Sequence, residues 1–304
     1  MLLRRGLEIP RSTDAFVREA LGQDPPLRLD GREAELSREV SLLVSRDVRR
    51  CRAVAVVQWG SIRVHCTVSG SIVRPYPDRS TQGLLSFQGM DSTLHRILEK
   101  VLKSSEAVDT ESLCIIAGEK VWSIVCSIRL LDETGGNVLD AIVLAALAGF
   151  QAFRKPDVEV TREGSSYNIR VFHEDEREPL PLALHFVPLA VSVGVMRPAL
   201  TSEHVLIVDP DQEELEAADA SLLVLVNSHQ EICFVHKSGG MPIPRQVFLQ
   251  ASHVAVQASH RLHSLLRDAL LKLENDCMLE RNKRLEILQS LRAEELSKVV
   301  NSDD

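Results

Sequence analysis

Aromatic residues are scarce in this 304-residue chain: two Trp, two Tyr and eight Phe make up 4% of it. The basic stretches therefore offer no evident aromatic platform on which nucleic-acid bases could stack, Tyr76 between Arg74 and Arg79 being a lone ring. The six cysteines are dispersed at 51, 66, 114, 126, 233 and 277 without a CxxC pair. With no cleavable apolar leader either, they read as reduced thiols inside a cell, which argues against disulfide staples and a thiolate zinc site. The longest apolar run, near 141–150, falls short of the roughly 18 residues a membrane span needs, so no membrane contact is expected. Also missing are GxxxxGK[ST], a strand-linked GxGxxG, GxSxG and HExxH, which removes the usual sequence support for nucleotide hydrolysis, dinucleotide redox, serine hydrolysis and zinc proteolysis.

What is present is an ordinary globular composition, 44% hydrophobic and 26% charged, with a net charge of −8. The charge is uneven. Residues 1–103 carry 17 Lys+Arg against 12 Asp+Glu, whereas 104–304 carry 18 against 31. That asymmetry leaves room for one basic surface on an acidic protein.

Residues 12–22 read as a short helix capped by Ser12 or Thr13, followed by a turn at Asp24-Pro25-Pro26. From Cys51 to Val68 the period is two, with Ile62, Val64, Cys66 and Val68 on one face and a tight turn at Trp59-Gly60-Ser61, which predicts a hairpin. Residues 70–83 read as a loop. Asp91 or Ser92 opens a helix with Leu94, Ile97, Leu98, Val101 and Leu102 inward and His95, Arg96, Lys100 and Lys103 outward. Two strands follow, and then LDETGGNVLD at 131–140, whose glycine pair is either a phosphate cradle or a plain turn. Asp140 is expected to N-cap the apolar helix after it. The second half repeats the theme: strands at 184–195 and 204–209, an acidic connection, a hairpin over 221–236, a helix from about 246 to 271, and a separate charged helix over 274–299. This reads as a degenerate internal duplication. The expected division is an N-terminal helix and arm (1–33), two halves (34–181 and 182–272) and a helical extension (273–304).

Two chemistries stay open on the residues themselves. Asp209, Asp211, Glu213 and Glu214 could ligate Mg²⁺ or act as acid and base, or could be a solvated connection that starts a helix. Arg74 and Arg79 flanking Tyr76, with the cations of the 92–103 helix, could neutralise RNA phosphates or be a wet helix face.

LDGR at 29–32, PYPDR at 75–79, DTESLCIIAGEKVW at 109–122, LLDETGG at 130–136, REPLPL at 177–182 and LIVDP at 206–210 together resemble the RNase PH superfamily. Within it they resemble the noncatalytic ring subunits of the eukaryotic RNA exosome core. The resemblance spans about residues 12–270. It implies an α/β (α+β) chain with a duplicated βαβα RNase PH-like fold, related to ribosomal protein S5 domain 2-like folds. It further implies partners: other RNase PH-like ring subunits, S1/KH-type cap subunits, an associated hydrolytic 3′→5′ ribonuclease, and single-stranded RNA. The setting it implies is nucleus, nucleolus and cytoplasm.

Active relatives bind inorganic phosphate with arginines and a GGTRT loop, and use a strand-end aspartate with a second acid six positions on. Here Gly135 and Gly136 match the glycines, but Asn137, Val138 and Leu139 replace the Thr, Arg and Thr. Glu99 and Lys100 stand where a Gly-Arg is expected. Asp209 matches the first acid, but Leu215 stands at the second, with Glu214 one place early. Loss of one preorganised donor typically costs about a hundredfold in rate, and several are gone. The expectation is a subunit without phosphorolytic activity, metal or cofactor; the alternative is an active phosphate-dependent 3′→5′ exoribonuclease. Arg32, Arg74, Arg79, Arg96 and Lys100 are the expected RNA contacts. The short QGMDST stretch before Leu94 stands where relatives carry a longer loop.

Overall fold

The computed structural model describes residues 11–23, 26–103, 106–163, 166–198 and 204–300. Helix α1 (Arg11–Leu21) begins before Ser12 and Thr13, so both lie inside its first turn rather than ahead of it. Asp24 and Pro25, in the expected turn, are outside the described residues.

Strands β1 (Val40–Asp47), β2 (Arg52–Trp59) and β3 (Ile62–Val73) form an antiparallel meander, with Trp59 facing Ile62 across a two-residue turn. The expected inward set, Ile62, Val64, Cys66 and Val68, is fully buried. β3 does not stop at Gly70. It continues to Val73 because the ladder with the partner strand persists, Gly70 facing Ile124 and Val73 facing Val121. The loop therefore shrinks to residues 74–83, with a single 3₁₀ turn at Pro77–Arg79.

β4 (Leu84–Gln88) leads into α2 (Ser92–Leu98), which widens into a π-helical turn over Glu99–Lys103. Leu94, Ile97, Leu98, Val101 and Leu102 are all buried, as the stripe predicts. β5 (Cys114–Ile116) and β6 (Lys120–Asp132) complete a six-stranded sheet of order β1-β2-β3-β6-β4, with β5 also on β6 and with β4 parallel to β6.

Helix α3 (Val138–Ala152) is apolar on every side because it lies between two sheets. It packs on β2 and β3 of the first, and on β11 of the second. Short strands β7 (Arg154–Lys155) and β10 (Leu180–Pro181) pair around a hairpin of β8 (Val158–Glu163) and β9 (Ser166–Val171). The second sheet is antiparallel, of order β12-β11-β13-β14, from β11 (Leu189–Met196), β12 (Val205–Val208), β13 (Ala220–Val226) and β14 (Ile232–Ser238). β11 starts five residues later than its apolar pattern suggests; Pro188, just ahead of it, has no N–H to offer a ladder.

α4 (Gln212–Ala217) links β12 to β13, and α5 (Arg245–Val300) closes the fold against β11, β13 and β1. The two helices expected at the C-terminus are one. No Gly or Pro interrupts 245–300, so nothing separates them. α5 is held at Glu274, whose carboxylate takes both Arg46 (2.7 Å to each oxygen) and Arg154 (2.6 Å). Past it Met278 and Leu279 are exposed, and the side chains of Leu285, Leu288 and Leu291 lie outside the described set.

Candidate functional site

The glycine pair, the acid after β12 and the N-terminal arm converge on one point. Asp209 is 1% exposed and sits at φ +51°, a left-handed conformation that Asp tolerates better than most residues. Its backbone N–H donates to the Ser192 carbonyl (2.9 Å), which aims the carboxylate into the protein. Arg38 grips that carboxylate with two parallel bonds, Nε to Oδ2 (2.9 Å) and Nη2 to Oδ1 (2.6 Å), and its own backbone N–H adds a third (2.9 Å). The indole Nε1 of Trp59 donates to Oδ2 at 2.9 Å, and Arg32 Nη1 lies 3.4 Å away. Such a bidentate guanidinium is the strongest partner a carboxylate finds in a protein. Its remaining nitrogen, Arg38 Nη1, donates to the carbonyl of Gly135 at 2.6 Å.

The glycine pair is thus a turn pressed onto its neighbours. Both glycines have positive φ, +113° and +89°. A β-carbon on Gly135 would come within 2.6 Å of Ser61 Oγ and 2.7 Å of Arg38 Nη1; one on Gly136 would meet the backbone of Asp211 and Gln212 at 2.7 and 2.6 Å. These contacts alone require glycine, independent of any anion. Arg38 lies against the turn and donates to its Gly135 carbonyl.

Asp140 does not cap α3. The helix begins two residues earlier, with Asn137 as its N-cap, and Asp140 lies buried in the first turn. Three residues form a closed polar ring there. Asn137 Nδ2 donates to Asp140 Oδ2 (2.6 Å), Ser192 Oγ is 2.9 Å from both Asn137 Oδ1 and Asp140 Oδ1, and the Ser192 N–H donates to Asp140 Oδ2 (2.7 Å). Ser192 has one hydroxyl proton for two acceptors. A proton on Asp140 Oδ1 resolves this by donating to Ser192 Oγ, which then donates to Asn137. Burial, reinforced by the charge of nearby Asp209, accordingly pushes Asp140 up to about 7. The cavity that Asp140 and Asp209 share with Ser37 and Trp59 has a volume of about 10 Å³, space for at most one water.

The sign of the resulting pH dependence follows from linkage. Asp140 binds its proton more tightly folded than unfolded, so its contribution favours the folded state in acid. That contribution is lost as pH rises from about 4 through about 7, a span of about 4 kcal/mol. The expected result is that the stability difference between wild type and Asp140→Asn, measured by urea unfolding at pH 5, 6, 7 and 8, grows in favour of the variant as pH rises. A flat difference would place the proton elsewhere.

In the acidic connection Asp211 and Glu214 are structural, while Glu213 is exposed on α4. Asp211 caps α4 by accepting the Glu214 N–H (2.8 Å), while Glu214 accepts the Asp211 N–H (3.0 Å), a capping box. Glu214 is fully buried and takes Arg28 at 2.8 and 2.5 Å. Arg28 also reaches the carbonyls of Leu36, Val208 and Asp209. Among the described residues, no group of three or more His, Cys, Asp or Glu side chains is placed to hold a metal ion.

Of the basic residues singled out from the sequence, Arg32 turns inward, bonded to Asp30 and the Leu36 carbonyl and lying against Asp209. Arg74 and Arg79 are exposed between β3 and β4, and Arg96 and Lys100 are exposed on α2 and its π-helical turn. Sequence reasoning missed Arg28, Arg38, Trp59 and Ser192. The basic excess of the first third of the chain was the one trace of Arg28 and Arg38; Trp59 and Ser192 left none.

The model of the 3′ exoribonuclease family, domain 2, matches residues 187–258. The exosome complex component RRP45 of Saccharomyces cerevisiae is 31% identical over 320 residues, covering 97% of this chain and the whole of that protein. The chain belongs to the RRP45 family of exosome components. RRP45 of Rattus norvegicus is 34% identical over 82% of this chain, and the chain spans 57% of that relative's length. Membership agrees with the RNase PH-like resemblance of the sequence, and through the block at 109–122 with the smaller PM/Scl autoantigen. Among solved structures, an archaeal exosome core matches with a TM-score of 0.66 at 24% identity over 84% of this chain and 97% of that one. Rice Rrp46 matches with 0.56 at 14%, over 80% and 100%. The architecture is the duplicated RNase PH-like α/β fold seen in exosome core structures.

Proposed function

We propose that this chain is a catalytically inactive ring subunit of an RNA exosome core, supporting 3′→5′ RNA processing and degradation by forming the ring and part of the RNA channel. The observation that carries the loss of chemistry is the Asp209 carboxylate. Both of its oxygens are taken by Arg38, one of them also by Trp59, and the same guanidinium holds the Gly135 carbonyl. A phosphate-binding centre needs uncommitted cationic donors and a carboxylate free to move a proton or hold a metal, and this junction offers neither.

The proposed partners are other RNase PH-like ring subunits, S1/KH-type cap subunits, a hydrolytic 3′→5′ ribonuclease and single-stranded RNA, in nucleus, nucleolus and cytoplasm. The division into halves at 34–181 and 182–272 belongs to the same reading. Arg74, Arg79, Arg96 and Lys100 are the proposed phosphate contacts; Arg32, committed to Asp30 and Asp209, fits the interior network better.

Affinity isolation through a tag on this chain tests the assembly. The expected result is a particle in which RNase PH-like and S1/KH proteins accompany it, and recovery of the chain alone contradicts the proposal. In that particle Arg74→Glu/Arg79→Glu should weaken oligouridylate binding about tenfold at low salt and lessen its salt dependence, with subunit composition unchanged. Loss of subunits instead would assign the two arginines to an interface.

A further inference from the structure

The fold supplies a pair of rings that the sequence conceals. Phe234 and His236 are two residues apart on β14, hence on one face of an edge strand. Their centroids are 6.4 Å apart and their planes within 9° of parallel. The separation is the one that residues two apart on a strand impose, and the near-parallel planes leave both rings presented side by side on that face. The exposed cations of the α2 region come to the same place: Lys100 Nζ lies 5.4 Å from the Phe234 centroid. Burial first, then the charges of Lys100 and Arg96, lower the pKa of His236, so the imidazole is neutral at physiological pH and behaves as a flat stacking ring. Both rings are only half-buried, and among the described residues no strand pairs with the outer side of β14.

We infer that Phe234 and His236 form a base-stacking platform for single-stranded RNA, with Lys100 and Arg96 holding the adjoining phosphates. This rests on the proposed RNA role and adds a site to it. The composition fits single-stranded nucleic acid because stacking accepts any base while the cations follow the backbone. An acidic protein segment would pair with the cations without calling on the two parallel rings beside them.

The test uses the particle isolated through this chain. An oligouridylate carrying 4-thiouridine is photocrosslinked to it, and adducts are mapped by mass spectrometry. Phe234→Leu, which keeps apolar volume and removes the ring, and His236→Ala are compared with wild type for adducts and for affinity, with subunit composition measured on each. The expected result is adducts on the peptide containing Phe234 and His236, and roughly tenfold weaker binding for each variant in an intact particle. If RNA crosslinks to this chain only elsewhere and both variants bind normally, the platform is refuted while the RNA role stands. If no RNA crosslinks to this chain at all, the RNA role itself fails. If either variant sheds a subunit while RNA still crosslinks to wild type elsewhere, the rings serve a protein interface and the inference is overturned.

Discussion

Asp209→Ala should lower the unfolding free energy by about 3–5 kcal/mol, because it strands the largely buried guanidinium of Arg38 and leaves the Trp59 N–H without its acceptor. Alanine adds a second penalty at φ +51°, of about 1 kcal/mol, since it lacks the polar side chain that eases a left-handed backbone. Asp209→Asn keeps the backbone preference and one acceptor oxygen, so its loss should be about half as large. The two variants therefore separate charge from conformation. Removing the Asp209 charge also removes one of the two causes that raise Asp140, so the pH dependence at Asp140 should move to lower pH in Asp209→Asn. Urea unfolding of the three proteins at several pH values measures both effects. Equal stabilities would mean that Asp209 is not held as described.

A comparable loss is expected at Arg28. Arg28→Met leaves Glu214 as a buried, unpaired carboxylate, a situation that typically costs about 3–5 kcal/mol. For a domain of this size that is a fall in melting temperature of roughly 10 °C. Adding Glu214→Leu removes the stranded charge but not the other losses. Arg28 no longer donates to Leu36, Val208 and Asp209, and α4 loses half of its capping box. The double variant should thus be less stable than wild type yet more stable than Arg28→Met, with a coupling energy of about 2 kcal/mol. Additive losses would show that the two side chains do not act as a pair.

These two ion pairs explain a feature of the sequence that pointed elsewhere. The basic excess of the first third suggested a basic surface, but several of its arginines are committed to ion pairs, with Arg28 buried, Arg38 and Arg46 largely covered and Arg49 exposed. Arg18 meets Asp219, Arg28 meets Glu214, Arg38 meets Asp209, Arg46 meets Glu274 and Arg49 meets Glu174. Arginines from the first 50 residues hold acids that come after residue 170, so part of the uneven charge along the chain is spent on long-range pairs. Periodicity identified the core well, because the stripe on α2 and the alternation of β3 are local signals. It could not identify Arg38 as the partner of Asp209, 171 residues away, since pairing at that range is set by topology.

LDETGGNVLD shows the same division. Its glycines were legible as either a cradle or a turn, and the choice of a turn pressed onto Ser61, Arg38 and α4 came from the fold. That Asp140 lies within the helix rather than before it, sharing a polar ring with Ser192 on β11, needed the fold. The ring pair on β14 was invisible for a related reason: Phe234 is unremarkable until Lys100, from the first half, is seen above it.

The central claim is that Asp209 has passed from chemistry to architecture. Nucleoside diphosphate release from single-stranded RNA with inorganic phosphate present, assayed on the purified chain and on the particle isolated through it, tests this most directly. No diphosphate above the protein-free blank is predicted in either sample, for wild type and Asp209→Asn alike. Diphosphate released by wild type and lost in a folded Asp209→Asn variant would contradict it.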